Sequence, residues 1–276
     1  MAGDTAMIRV GRHWLAATVY GEGAPAVIIE PAFGGCAADW EPIAERLAGE
    51  TTVVLYDRAP YGASSAARDG RSPRDIAADL DGLLGQLGVT GPLVLAGHSA
   101  GGIYVRAYAA AHPGRVAGMV LVESSHEGQR AVLDPLRSFG TRLSGMLTIP
   151  SIIRESLQSR RCGDRRSIIR EWRSFRRATA GRDVLPPGAL GDRPLVVLTC
   201  APGGPSVSGQ VWKAWHELHA DLAGLSADSE HVVSGSPDHY LNTSDPDLIV
   251  SAITDVVLAA RDGAPLGELA VTSDAE

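Results

Sequence analysis

Leu93-Val94-Leu95-Ala96-Gly97-His98-Ser99-Ala100-Gly101-Gly102 carries the pattern G-x-S-x-G between two strongly patterned flanks. The pattern itself is too short to carry weight alone. The flanks supply the weight. A short aliphatic run of the kind that forms a strand buried on both faces precedes it, and an Ala-rich helical pattern from Ile103 to His112 follows it. A tight strand-to-helix turn with this sequence is a nucleophile elbow. The turn forces Ser99 into a strained backbone conformation and lifts its hydroxyl out of the sheet at a helix N-terminus, where the dipole favours developing negative charge. Gly97 and Gly101 suit the turn because side chains there would collide across it. A glycine-rich turn without chemistry is the competing interpretation, and both flanks weigh against it.

The alternation continues outward. Val27 to Ile29, Thr52 to Tyr56, Met119 to Val122 and Leu195 to Leu198 are further short, continuous apolar runs, and His231 to Ser234 is a last strand pattern. Leu15 to Tyr20 predicts an earlier antiparallel edge strand. Helical patterns fall between them at Trp40 to Ala48, Pro73 to Leu87, Val211 to Leu222 and Pro246 to Ala260. The two prolines are first-turn residues behind the N-caps Ser72 and Asp245. Such alternation predicts an α/β domain with a doubly wound, mostly parallel sheet. With 276 residues the chain suffices for one such unit plus an insertion.

That insertion is visible. Between Val122 and Pro194, about 70 residues carry no strand signal. Leu133, Leu136, Leu143 and Leu147 recur at helical spacing, as do Ile168, Trp172 and Phe175. The expected organisation is a core of residues 1–124 and 191–276 with a helical cap at 125–190, placed where a lid over an active site would sit. Arginines are dense from Arg154 to Arg182. A solvated helix face explains them most simply, and attraction for an anionic substrate is the sharper alternative.

A serine hydroxyl is too weakly acidic to attack unaided, so a base must follow. On this kind of sheet the order is serine, acid, histidine. His239, in Gly235-Ser236-Pro237-Asp238-His239-Tyr240, stands between the last strand and the last helix, where the base belongs. His98 is expected to point away from the hydroxyl. His216 and His219 suit an ordinary helix face, and His126 is a candidate pocket-lining residue. No carboxylate follows the strand ending at Thr199, so the acid is assigned to Glu123, at the carboxyl end of the preceding strand. There it would fix the imidazole tautomer and stabilise the imidazolium. A Glu capping the first helix of the insertion is the alternative, and Asp238 is a poor one because it adjoins the histidine. The two N–H donors of an oxyanion hole are assigned to Ala100, directly after the nucleophile, and to Phe33 in Pro31-Ala32-Phe33-Gly34-Gly35, with Ala32 and Gly34 less favoured.

Composition excludes several classes. Apolar residues at 45% and charged residues at 21% rule out a disordered chain. A net charge of -7 argues against nucleic acid as partner. No uncharged apolar run approaches the ~20 residues of a membrane span. The first residues include Asp4, Arg9, Arg12 and His13, with no signal-type apolar core. Cys36, Cys162 and Cys200 are too few and too scattered for a disulfide framework or a zinc site. The combined expectation is a cytoplasmic protein without metal or cofactor.

At these residues the chain resembles the α/β-hydrolase superfamily, from about Ala26 to Ala260. The resemblance is carried by the elbow, the His239 loop, Tyr56-Asp57-Arg58-Ala59-Pro60-Tyr61-Gly62, and Val120-Leu121-Val122-Glu123-Ser124-Ser125-His126. Pro31-Ala32 stands where the family usually has His-Gly. The acid usual after the seventh strand is missing, so the resemblance implies the branches with the acid after the sixth, here Glu123. Asp57 would hold the loop beside the oxyanion site. Serine at position 99 separates the chain from the epoxide-hydrolase and haloalkane-dehalogenase branches, which need Asp there. The implied activity is hydrolysis of a carboxylic ester or related acyl bond of a small molecule through an acyl-Ser99 intermediate. An acyltransferase, a carbon–carbon-bond hydrolase or a lyase would use the same fold and triad. A ligand-binding protein with a slow or inactive triad is the non-enzymatic alternative.

Overall fold

The computed structural model describes residues 3, 5–65, 71–136, 162, 165–178, 185–203 and 208–267. Eight strands form one sheet in the order β1-β2-β4-β3-β5-β6-β7-β8. They are β1 (Thr5–Val10), β2 (His13–Tyr20), β3 (Ala26–Glu30), β4 (Val53–Tyr56), β5 (Leu93–His98), β6 (Val116–Val122), β7 (Leu195–Thr199) and β8 (Ser229–Val233). β1 pairs antiparallel with β2, and β2 antiparallel with β4; every other pairing is parallel. The expected edge strand is thus second from the edge. The outermost strand, β1, is mostly exposed and includes Arg9, so no buried run announces it.

The helices are α1 (Glu41–Leu47), α2 (Pro73–Gln86), α3 (Ala100–Ala111), α4 (Gln129–Leu136), α5 (Arg165–Ala178), α6 (Gly209–Ala223), α7 (Leu241–Ser244) and α8 (Pro246–Asp262). Both faces of the sheet are covered. Leu93 and Leu95 of β5 join the core shared with α2, α3 and α6. Val94 and Ala96 point the other way, into the core shared with α1 and α8. This period-two division explains why the central strands are continuous apolar runs. Ser72 caps α2 as expected, accepting from Asp75 N. Asp245 precedes α8 without capping it; its carboxylate accepts instead from the Ser234 hydroxyl.

Two helices of the expected cap lie within the described residues. Leu133 of α4 packs on Ala214 and Leu218 of α6. On α5, Phe175 packs in a cluster with Ala100, Ile103 and Tyr104, and Ile168 packs on Tyr61. Leu143, Leu147, Arg154 and Arg182 lie outside the described residues. Cys36 and Cys162 form a disulfide, with Cα atoms 5.2 Å apart across 126 residues of sequence. Linear spacing cannot register that proximity, and the pairing removes the cysteine-based argument for a reducing compartment. No described helix is long and apolar enough to cross a membrane.

Candidate active site

Parallel pairing brings the carboxyl ends of β3, β5, β6, β7 and β8 to one edge of the sheet, and the candidate residues gather there. Val122 pairs with His98, so Ser99 and Glu123 follow at neighbouring strand ends. Ser99 N donates to Val122 O at 3.0 Å, and Ser125 N donates to Ser99 O at 2.8 Å. Ser99 has φ 53 and ψ -117. Among the described residues, the only other non-glycine residue with positive φ is Glu123, at 45. Conformations of this kind cost about 1–3 kcal/mol and persist only where surrounding contacts impose them. The elbow glycines answer to close packing. A Cβ on Gly97 would stand 2.7 Å from Gly102 Cα and from Val105 Cγ2, and one on Gly101 would run into the carbonyls of Glu30 and Pro31.

Glu123 and His239 are in contact: His239 Nδ1 lies 2.9 Å from Glu123 Oε2. A carboxylate only accepts, so Nδ1 carries the proton and Nε2 is left with its lone pair. Glu123 is 2% exposed, whereas the His239 side chain is 41% exposed. The carboxylate also accepts from Cys200 N at 2.7 Å and from Trp215 Nε1 at 3.3 and 3.2 Å. Burial works to raise its pKa, but the hydrogen bond and charge of His239, with help from His219 and Cys200 N–H, bring it down to about 2. Glu123 is therefore an anion at neutral pH. Burial, followed by this negative charge, pushes the Cys200 thiol up to about 12. The Ser99 hydroxyl does not cap α3, and no hydrogen bond joins it to His239 among the described residues. In unliganded sites such bonds are often long or misaligned and tighten when substrate arrives.

Two histidines set aside at the level of sequence turn out to buttress this pair. His98 is fully buried, and its Nε2 lies 2.9 Å from His239 O. A carbonyl only accepts, so His98 donates and holds the histidine loop against the elbow. Burial, followed by the charge of His239, pushes its pKa down to about 3. His219 is likewise buried instead of lying on an open helix face. Its Nε2 donates to Ser124 O at 2.9 Å, and its Nδ1 lies 2.6 Å from Thr199 Oγ1, which in turn lies 2.7 Å from His231 Nε2. Burial pushes the His219 pKa down to about 4, so its 4.0 Å approach to Glu123 is that of a neutral ring. Trp215 and His219 are four apart on α6 and share the face turned to Glu123. That spacing, beside a strand lacking its own acid, was the available signal. His126 Nε2 pairs with Asp221 Oδ2 at 2.9 Å, and Asp238 accepts from Tyr240 N at 2.9 Å.

The loop 31–36 lies across the elbow from this cluster. Gly34 N donates to Glu171 Oε2 at 3.3 Å, so that N–H is already engaged. The Phe33 ring meets Trp172 edge-on at 5.8 Å between centroids. Asp57 accepts from Ala37 N and Ala63 N, both at 2.9 Å, which ties the loop after β4 to the segment following residues 31–36. Among the described residues, Cys36, Asp39 and Cys162 bring possible metal-ligand atoms within 4.8 Å of one another. With the two sulfurs joined in a disulfide, neither is a thiolate able to ligate.

The family model of the α/β hydrolase fold matches residues 25–148. The Bacillus subtilis (strain 168) protein YqjL, itself uncharacterised, is 23% identical over 243 residues, covering 87% of each chain. A thermophilic esterase from Thermogutta terrifontis, solved with malate bound, superposes with a TM-score of 0.66 at 22% identity, over 94% of this chain and 98% of its own. A candidate epoxide hydrolase from Pseudomonas aeruginosa superposes equally well, with a TM-score of 0.66 at 21% identity over 94% and 97%. The sheet order, the elbow at its centre and these likenesses agree: the chain has the α/β-hydrolase fold.

Proposed function

We propose that the protein is a serine hydrolase that cleaves a carboxylic ester or a related acyl bond. The observation that carries this reading is the coincidence of strain and contact. Among the described residues, the two non-glycine residues with positive φ are the serine of the elbow and the glutamate in contact with His239. In the proposed reaction, His239 Nε2 takes the Ser99 proton as Oγ attacks the substrate carbonyl. The ionised Glu123 holds the ring in the required tautomer and stabilises the imidazolium as it forms. The tetrahedral oxyanion is received by the N–H groups of Ala100 and Phe33. Ala100 is the first residue of α3, so its N–H has no partner within the helix. His239 then gives its proton to the leaving oxygen, and acyl-Ser99 remains. Water attacks the acyl-enzyme with His239 again as base, releasing the acid and restoring the serine.

The epoxide-hydrolase neighbour does not redirect this reading, because a serine at position 99 cannot supply the carboxylate nucleophile that chemistry needs. Labelling with a fluorophosphonate is the direct test. The serine oxygen displaces fluoride from phosphorus, and the expected product is a single adduct on the peptide containing Ser99. No adduct on wild-type protein would overturn the nucleophile assignment. Product analysis with a panel of p-nitrophenyl, lactone and thioester substrates then separates hydrolysis from transfer: release of the free acid to water is expected, and acyl transfer to an added alcohol in its place would favour an acyltransferase.

A further inference from the structure

The loop after β3 is gripped from two sides. Arg58, 3% exposed, donates from Nη1 to Glu30 Oε1 at 2.6 Å and to Pro31 O at 2.9 Å. Its Nη2 donates to Ala32 O at 2.8 Å and to Glu171 Oε1 at 3.1 Å. Glu171, on the cap helix α5, is 6% exposed. Oε1 of Glu171 also accepts from Tyr104 Oη at 2.9 Å, and Oε2 accepts from Tyr61 Oη and from Gly34 N. Every acceptor site of that carboxylate is thus in use.

The consequence concerns Phe33. In a trans peptide the C=O and the N–H point in opposite directions. The cis peptides of the described residues lie elsewhere, at Pro25 and Pro60. The Ala32–Phe33 peptide has its oxygen fixed by Arg58, so the Phe33 N–H is turned away from the guanidinium. The Phe33–Gly34 peptide has its N–H fixed by Glu171. Both planes flanking Phe33 are locked, one by the core and one by the cap.

We propose that Glu171 is a positioning residue for the oxyanion hole: through Gly34 and Arg58 it aims the Phe33 N–H, so the hole is complete only when the cap helix is docked. This rests on the serine-hydrolase reading above. Glu171→Gln is the discriminating variant. The glutamine oxygen can satisfy either Arg58 or Gly34, but its NH2 then faces a donor at the other. Tyr61 can turn to accept, whereas a backbone N–H cannot.

Two measurements on full-length protein test this. The first is the rate of fluorophosphonate labelling of Ser99, with ester kinetics beside it. The expected result for Glu171→Gln is labelling about 10- to 100-fold slower and a fall in kcat with KM nearly unchanged, since a misaimed donor weakens the transition state and leaves ground-state binding alone. The second is hydrogen exchange, with the peptide covering residues 31–36 losing protection while the peptide covering 93–111 keeps it. Wild-type labelling rates in the variant would overturn the proposal, and so would unchanged exchange at 31–36. If wild-type protein is not labelled at all, the serine-hydrolase reading fails, and the exchange result alone decides whether Glu171 holds the loop.

Discussion

Glu123 and His239 are held by groups that all come from the core, whereas residues 31–36 are held partly by the cap. Around the acid, Cys200 N stands at the end of β7, Trp215 and His219 on α6, and His98 at the end of β5. These elements belong to the sheet or lie directly against it. Around residues 31–36, Arg58 comes from the core, but Glu171 and Cys162 come from the insertion. Proton transfer needs one fixed tautomer whatever the substrate, so a rigid support serves it. In the proposed reaction the loop 31–36 supplies an oxyanion donor, and sharing its support with α5 would couple the docking of that helix to the readiness of the hole.

Ser99→Ala breaks the site where the two halves meet. Turnover should fall about 10⁴-fold or more, because members of a triad act as a unit. The fold should persist, since the Ser99 hydroxyl caps nothing. Near-wild-type turnover by a folded variant would remove Ser99 from the mechanism. In the Ser99→Ala background, His239→Ala should cost almost nothing further.

Glu123→Gln attacks the core-supported half alone. Replacing the anion with an amide frees the His239 tautomer, and kcat should fall about 10²–10⁴-fold. Protection of the 31–36 peptide in hydrogen exchange should stay at the wild-type level, because no contact of Glu123 reaches that loop. A comparable loss of protection there would mean that the halves are one unit.

How much of this was legible in the sequence follows the same division. The strands and the elbow were readable because burial on both faces leaves unbroken apolar runs, and because the turn demands glycines at fixed offsets. Glu123 was readable from position alone, once β7 offered no acid. The supports were not. Trp215 and His219 became partners of Glu123 only when α6 docked, and His219 reads in the sequence as a residue of an ordinary helix face. Glu171 sits amid arginines on α5, and nothing local marks it as the residue buried against Arg58. Contacts made between helices distant in sequence leave no periodic signature.

Trp215→Phe sharpens the comparison by removing one donor. It keeps most of the ring packing and takes away the indole N–H that Glu123 shares between its two oxygens. Cys200 N and His239 remain, so kcat should fall by roughly 10-fold, the low end of the about 1.5–3 kcal/mol that a hydrogen bond to a charged group contributes. A loss as large as that of Glu123→Gln would show that the indole, and not the backbone of Cys200, is the main support of the acid.

The smallest effect concerns stability in mild acid and belongs to the core-supported half. His98 and His219 are neutral in the folded chain down to about pH 3 and pH 4, because burial penalises the charged ring. In the unfolded chain both take up a proton near pH 6.5. The unfolded state therefore binds more protons below that pH. Each ring contributes stability that is complete above pH 6.5 and is lost as the pH falls toward its folded value. At pH 5.5 the loss should be roughly 1 kcal/mol per ring. His219→Gln can keep a donor toward Ser124 O and cannot titrate. Comparing urea midpoints at pH 7.5 and 5.5, wild-type protein should lose about 1 kcal/mol more than the variant, with the contributions of His98 and His231 cancelling between the two. Equal losses would mean that the His219 ring already accepts a proton in the folded state, and that its approach to Glu123 is an ion pair after all.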